Sequence, residues 1–299
     1  MSNPPELYPL LERVFLTVFP LAVIVLIAFI YARKYETDMR IPNRLNMDIF
    51  LPALIFAVMA SESFDLSTYS MLSAGALVTV LGSGLIALPI ARALGLGAKT
   101  FVPPMMFNNC GNLGLPLALL AFGELGLAAM MAMFLISNTL HFTLGSYIVS
   151  GSASPRKILL NPMIMATILG LAWNLLGLPF PEFIQVPLRM LGDIAIPLML
   201  FALGVRMRGI DLSNWKMGAY GAVLSPLTSL IFAIPFAIIF DLSTEFTAYL
   251  ILFSAMPPAV LNYLVAERYN LEPLAVASIV MIGNMASLII VPITLFFII

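Results

Sequence analysis

Arg44 to Phe56 reads RLNMDIFLPALIF, and Arg189 to Phe201 reads RMLGDIAIPLMLF. Arg, Asp, Ile, Pro and Phe recur between them at a numbering shift of 145 (189 − 44). One inserted residue makes the shift 146 (211 − 65), which joins Asp65-Leu66-Ser67 to Asp211-Leu212-Ser213, Pro89 to Pro235, Phe107 to Phe253 and Asn138 to Asn284. Leu and Ile coincide by chance in an apolar chain. Arg, Asp, Pro and Asn are scarce here, so their repeated coincidence marks an internal duplication.

Composition sets the solvent in which this duplicated chain folds. The 299 residues are 61% hydrophobic and 10% charged, with a mean hydropathy of +1.04, more apolar surface than a water-soluble globule can bury. A bilayer core takes about 20 apolar residues per helix. Ten stretches of that kind run near residues 10–31, 44–60, 69–91, 101–122, 126–149, 158–177, 187–205, 217–240, 246–266 and 274–299. Period-2 alternation is missing, which argues against a barrel. No cleavable signal peptide is expected, because the first apolar stretch is long and lacks a basic leader.

Charge placement orients these stretches. Of 14 Lys and Arg residues, all but Arg13 and Arg189 follow the first, third, fifth, seventh and ninth stretches, on one side that is therefore cytoplasmic. Glu62, Asp65, Glu124, Glu182, Asp241 and Glu245 occupy the other side, so both termini are expected outside. Ten stretches divided by the repeat give five and five, and an odd number makes the second copy enter from the opposite face. The expected organisation is a first inverted repeat over 1–149, a cytoplasmic linker over 150–157 (SGSASPRK from Ser150) and a second repeat over 158–299. Cys110 is the single cysteine, which excludes an internal disulfide.

Chemistry concentrates where the fourth and ninth stretches break. Asn108-Asn109-Cys110-Gly111-Asn112-Leu113-Gly114-Leu115-Pro116 follows Pro103-Pro104, and at shift 146 its counterpart is Ser254-Ala255-Met256-Pro257-Pro258-Ala259-Val260-Leu261-Asn262. Proline removes a backbone donor and clashes one turn back, and glycine lowers the cost of unwinding. Exposed peptide groups persist in a membrane only beside protein or a water-filled cavity. Two breaks related by inversion would meet near the midplane and present helix ends and amides to one point. The alternative is a pair of simple proline kinks capped by Asn side chains. With no carboxylate at the breaks, amide donors on Asn108, Asn109, Asn112 and Asn262 suit an anionic carboxylate, and amide oxygens leave sodium coordination open.

Four further groups invite a coupling or gating role. Asp48 and Asp193 stand i,i+4 from Arg44 and Arg189, a spacing that serves a structural ion pair or a titrating gate. His141, one turn after Asn138, suits proton coupling or hydrogen-bonded packing. Asn138 and Asn284 place an amide deep in an apolar helix in both copies, where each needs a partner. Met130, Met131 and Met133 read as adaptable packing. One His, one Cys and no acidic cluster at the breaks leave no metal site or nucleophile–base pair, so no enzyme and no cofactor is expected. No nucleic-acid patch is visible either.

NNCGNLGLP, the further Asn138, the run Ile196-Pro197-Leu198-Met199-Leu200-Phe201-Ala202-Leu203-Gly204 and MPPA at 256–259 together resemble the auxin efflux carrier family of membrane transporters. The resemblance spans essentially the whole chain. It implies an all-α membrane protein of ten helices in two inverted five-helix repeats, similar to bile acid–sodium symporters and sodium–proton antiporters. Helices four and nine would be broken and crossing, helices 1, 2, 6 and 7 a scaffold, and helices 3–5 and 8–10 a transport unit. The implied function is efflux or exchange of a small organic anion across the cell membrane, the substrate being held by Asn108, Asn109, Gly111, Asn112, Gly114, Pro116, Asn138, Pro257, Pro258 and Asn262. H+ or Na+ is the coupling ion to test, and a homodimer through the scaffold is a further expectation. The long central cytoplasmic loop of the larger plant carriers is missing, which points away from auxin as natural substrate. A sodium-coupled symporter and a non-transporting sensor are the alternatives.

Overall fold

The computed structural model describes residues 7–61, 64–151, 159–209 and 214–299. Most of the expected linker, Glu62 and Asp211-Leu212-Ser213 lie outside the described residues. What is described is helical, with no strand and one isolated antiparallel bridge. In chain order the helices are α1 (Leu7–Lys34), α2 (Arg40–Leu45), α3 (Leu51–Met59), α4 (Leu66–Ala93), α5 (Ala98–Met106), α6 (Leu115–Leu140), α7 (Ser146–Ser150), α8 (Pro162–Leu175), α9 (Glu182–Met207), α10 (Trp215–Ile239), α11 (Thr244–Ser254), α12 (Leu261–Arg268) and α13 (Pro273–Ile298). Five-residue π-helical turns join α2 to α3 (Asn46–Phe50), lead into α6 (Cys110–Gly114) and join α6 to α7 (His141–Gly145).

Each of the ten apolar stretches is helical over most of its described residues, with the fourth and ninth interrupted at 107–109 and 255–260. Among the described residues, however, seven helices are long and apolar enough to cross a membrane: Leu7–Lys34, Arg40–Met59, Ser67–Ala93, Cys110–Ser150, Glu182–Met207, Trp215–Ile239 and Pro273–Ile298. Each difference from ten has a local cause. The fourth and ninth stretches are cut, so neither supplies one long helix. The second half of the fourth runs into the fifth through Gly123, whose φ of 69° and ψ of −158° turn the chain inside a nominally continuous helix. Glycine takes that conformation without a Cβ clash. The sixth stretch forms only the 14 residues of α8, held at its start by Asn161, whose side chain accepts from Met163 N.

The chain divides into two compact units. One contains the described residues up to Val23, Leu72 onward to Gly151, and Gly209 onward to Ile299. The other contains Ile24–Met71 and the described residues from 159 to Arg208. In this second unit α3 packs on α8 and α9. The approach is close because Gly170 and Gly192 carry no side chain: a Cβ on Gly192 would stand 3.0 Å from the Leu54 backbone, and one on Gly170 2.8 Å from Met59. Small residues let membrane helices approach where hydrophobic burial gives no drive. Asn174 anchors the same unit by donating to Ser61 O and Phe64 O, and Asp65 caps α4 through Ser67 N at 2.9 Å. Bonds from the Ser67 and Thr68 hydroxyls hold the Asp65 carboxyl below its ordinary range.

In the first unit α10 packs along α13. Gly218 and Gly221 face Ile282 and Ile279 there, and a Cβ on Gly221 would stand 2.6 Å from Ile279. Two buried hydroxyls, Ser83 on α4 and Ser229 on α10, meet at 3.1 Å. Their numbers differ by 146, the shift already read from the sequence.

Candidate functional site

The first unit contains both breaks, and they pair with each other. α5 ends where Phe107 turns extended (φ −105°, ψ 101°), and Asn108 then forms the antiparallel bridge with Pro258. Asn109 N donates to Pro257 O at 2.6 Å, and Ala259 N donates to Phe107 O at 2.9 Å. These two bonds are exchanged by a single shift of 150 (259 − 109 and 257 − 107). The same shift carries Asn112 onto Asn262 (262 − 112). The shift of 146 that fits the flanking helices therefore does not describe the breaks: Asn262 corresponds to Asn112 in this pairing, where the sequence register set it against Pro116.

Prolines explain why this pairing needs asparagines. Pro257 and Pro258 have no N–H, so between them they offer carbonyls alone. Asn109 N takes the carbonyl of Pro257, and Asn284 on α13 takes that of Pro258 through Nδ2 at 3.0 Å. Asn284 Nδ2 also donates to Val280 O at 2.7 Å, while its Oδ1 accepts from Asn109 Nδ2 at 2.7 Å. Asn108 Nδ2 donates to Phe253 O at 2.5 Å. Asn262 Nδ2 donates to Phe107 O at 2.9 Å and Ala259 O at 3.0 Å. All four amides are buried. Gly283 lets α13 approach this network, since a Cβ there would meet Pro258 Cδ at 2.7 Å.

Of the amides expected to serve a ligand, Asn262 thus directs both side-chain N–H groups to the protein itself, and Asn108 and Asn109 direct one each. Beyond the second N–H of Asn108 and of Asn109, what remains is of two kinds. Asn108 Oδ1 and Asn262 Oδ1 are buried acceptors with no hydrogen-bond partner among the described residues. Asn112, half-buried in the turn Cys110–Gly114, has an amide with no partner among them either, and so keeps free donors. Gly111 lies in the same turn, where a Cβ would meet the Phe134 ring at 3.0 Å, and Gly114 faces Met130 Sδ. Asn138 is buried on α6 and engaged.

Pro116 has a different role from the one its sequence position suggested. The discontinuity lies at Phe107–Asn109, ahead of the π-helical turn, and Pro116 lies beyond that turn in a helix that already runs on from Cys110, where it removes one backbone donor without breaking the helix. Pro103 and Pro104 lie inside α5 rather than at its start. His141 is buried with its ring stacked on Phe107, centroids 4.2 Å apart and planes at 9°. That places it beside the residue whose carbonyl closes the network.

The Arg–Asp pairs read from the sequence are in the second unit and differ between the two matching segments. Arg44 Nε and Asp48 Oδ2 stand 3.4 Å apart, both exposed, with Asp48 in the π-helical turn. Arg189 and Asp193, also exposed, make no such pair among the described residues. The spacing permits a pair without enforcing one when each side chain can be solvated alone. No group of His, Cys, Asp or Glu among the described residues has the geometry to hold a metal ion.

Known proteins resemble this chain in sequence. Residues 148–295 match the family model described as "Membrane transport protein". An uncharacterized transporter of Methanothermobacter thermautotrophicus is 28% identical over 91% of this chain and 95% of its own length. A Rhizobium meliloti protein whose name proposes malonate transport is 25% identical over 64% of this chain and 65% of its own, just under two thirds. Auxin efflux carrier component 8 of Arabidopsis thaliana is 29% identical over 44% of this chain and 38% of its own.

Proposed function

We propose, for a chain that belongs to the auxin efflux carrier family of membrane transporters, that it carries a small organic anion such as a carboxylate across the cell membrane, by efflux or exchange. The observation that carries this reading is the hydrogen-bonded pairing of two broken segments, with the unpartnered amide of Asn112 beside it. Broken helices at bilayer depth are tolerated only where protein or a cavity satisfies them, and transporters place substrates there. Asn112 donates to the carboxylate, while Gly111 and Gly114 shape the turn that presents it. Asn108, Asn109, Asn138, Asn262, Pro257 and Pro258 hold the surrounding backbone open. Asn284 fastens it to α13.

The exchange of the two bridging bonds by one shift supports two inverted five-helix repeats in which the fourth and ninth helices cross. The division of the chain supports a transport unit that carries the breaks and alternates its access, with a separate scaffold built on helices 2, 6 and 7 and part of 1. Both termini are then outside, and a homodimer would form through the scaffold. Asp48, Asp193 and His141 remain the groups to test for coupling to H+.

Sodium coupling is the second reading, favoured by one observation: the orphaned acceptors Asn108 Oδ1 and Asn262 Oδ1 suit a cation or a hydrogen-bond donor. Counterflow of labelled malonate in proteoliposomes tests both readings, run with sodium, without sodium and across a pH gradient. Exchange of malonate or another small carboxylate supports transport, and a sodium requirement selects the second reading. Organic acids that raise thermal stability but never exchange would make the protein a sensor.

A further inference from the structure

Away from the paired breaks, the same unit carries a groove of about 420 Å³ between α4, α5 and α7. Its walls are Leu81, Leu85 and Leu88 on α4, Val102 and Met106 on α5, and Ile148 on α7. The α4 positions repeat every three or four residues, so they form one helical stripe. Leu81 and Leu85 are exposed, which leaves the groove open toward the surrounding medium. Gly84 forms its floor: a Cβ there would stand 2.6 Å from Met106 Sδ.

One end of this apolar groove is cationic. Lys99 lines it, and Arg92 lies one turn beyond Leu88 on the same stripe of α4. Lys99 Nζ donates to Val149 O at 3.4 Å and has further hydrogens free. Neither cation pairs with a carboxylate among the described residues. Glu272 approaches this end, its Oε1 3.8 Å from where a Cβ on Gly97 would stand, but binds neither. Positive charge in the loops after the first, third and fifth stretches puts this end at the cytoplasmic face. From Leu81 to Leu88 the groove runs about 10 Å along α4 at 1.5 Å per residue, so it lies at acyl-chain depth with its cations at headgroup level.

We propose that this groove binds an anionic phospholipid of the cytoplasmic leaflet, one acyl chain along Leu81, Leu85 and Leu88 and the phosphate at Lys99 and Arg92. Basic pockets between membrane helices at the cytoplasmic face recognise such headgroups. An amphiphile is the occupant because the site joins an apolar trough, open to the bilayer, to uncompensated positive charge. A soluble dicarboxylate would leave the trough unfilled.

Native mass spectrometry of the purified full chain, with phosphatidylglycerol and phosphatidylcholine supplied together, tests the proposal. Wild-type protein retains phosphatidylglycerol preferentially. Lys99→Gln and Arg92→Gln each lower that preference about fivefold, the effect of one cation at a lipid surface. Leu88→Trp, which fills the trough, lowers retention of both lipids. Thermal unfolding confirms that each variant is folded, and both glutamine substitutions are at exposed positions. Equal retention of the two lipids by wild-type protein overturns the proposal, as does an undiminished preference in both glutamine variants. Displacement of the lipid by malonate or inorganic phosphate overturns it too, because the cations would then serve a soluble anion.

Discussion

Replacing Asn284 with alanine tests whether the paired breaks are held by side-chain amides or by packing. Asn284 makes bonds to Asn109 Nδ2 (2.7 Å), Pro258 O (3.0 Å) and Val280 O (2.7 Å). Truncation removes all of them and leaves two groups with no substitute: one Asn109 N–H and the Pro258 carbonyl, which no neighbouring proline N–H can reach. Val280 O is still served by the α13 backbone. Side-chain hydrogen bonds between membrane helices contribute about 0.6–1.7 kcal/mol each, and an orphaned buried polar group costs about 1–3 kcal/mol. The two estimates agree on a loss of about 2–4 kcal/mol. In a chain of this length that lowers the unfolding temperature by roughly 3–6 °C. Ser287→Ala is the control, because Ser287 Oγ donates only to the Asn284 carbonyl at 2.6 Å, and it should cost under about 1 kcal/mol. Asn284→Asp should be worse than alanine at neutral pH, since a carboxylate oxygen would face the Pro258 and Val280 carbonyls with nothing to donate. Thermal unfolding in detergent measures the series. If Asn284→Ala unfolds within about 1 °C of wild type, the breaks do not depend on this network and the account of the site fails.

Asn112→Ala should weaken binding of a carboxylate substrate about tenfold or more, the effect of losing one bond to a charged acceptor at about 1.5–3 kcal/mol, with folded yield unchanged; equilibrium binding of malonate checks it. Pro116→Ala should leave transport near wild type, because α6 already begins at Leu115, whereas Pro257→Ala combined with Pro258→Ala should abolish transport by letting α11 continue; the pair of rates decides between the two. Cysteine labelling from outside should reach Asp241 and miss Arg92, and equal labelling of both would remove the inverted topology.

Much of this architecture was legible from Arg44–Phe56 and its copy, because helices in a bilayer must be long, apolar and charge-flanked, and all three properties are local. Helix content followed the ten stretches closely. The breaks were legible as locations, since Pro and Asn at membrane depth have few alternative explanations. Their internal assignments were not. Which amide group faces a ligand depends on what its neighbours have already claimed, and that is set by pairing across well over 100 residues, as between Asn108 and Phe253 or Asn109 and Asn284. Sequence assigned donors to Asn108 and Asn262; the fold directs one donor of Asn108 and both of Asn262 to backbone carbonyls and leaves their oxygens over. The groove at Lys99 escaped notice for a similar reason, because an apolar stripe with a basic end describes almost any cytoplasmic helix terminus until two more helices wall it in.

The register shows how two matching segments can be unequal and still pair. Ser83 meets Ser229, and Asn138 aligns with Asn284, at a shift of 146, yet Asn108 pairs with Pro258 at 150. From Ser83 to the bridge the first copy uses 25 residues (108 − 83) and the second 29 (258 − 229). From the bridge to the buried asparagine the counts are 30 (138 − 108) and 26 (284 − 258). The second copy therefore carries four extra residues before its break and four fewer after it, about one helical turn or 6 Å each way. The shortening falls where α12 has only the eight residues Leu261–Arg268, while the first copy runs on through the turn at Cys110–Gly114 into α6. A compensated displacement of this kind leaves the flanking helices in register and moves only the break. It also makes the chemistry unequal: the first copy keeps Asn112 partly exposed with free donors, whereas its counterpart Asn262 is buried and committed to Phe107 O and Ala259 O. One segment thus keeps unused donors while the other closes the backbone behind it.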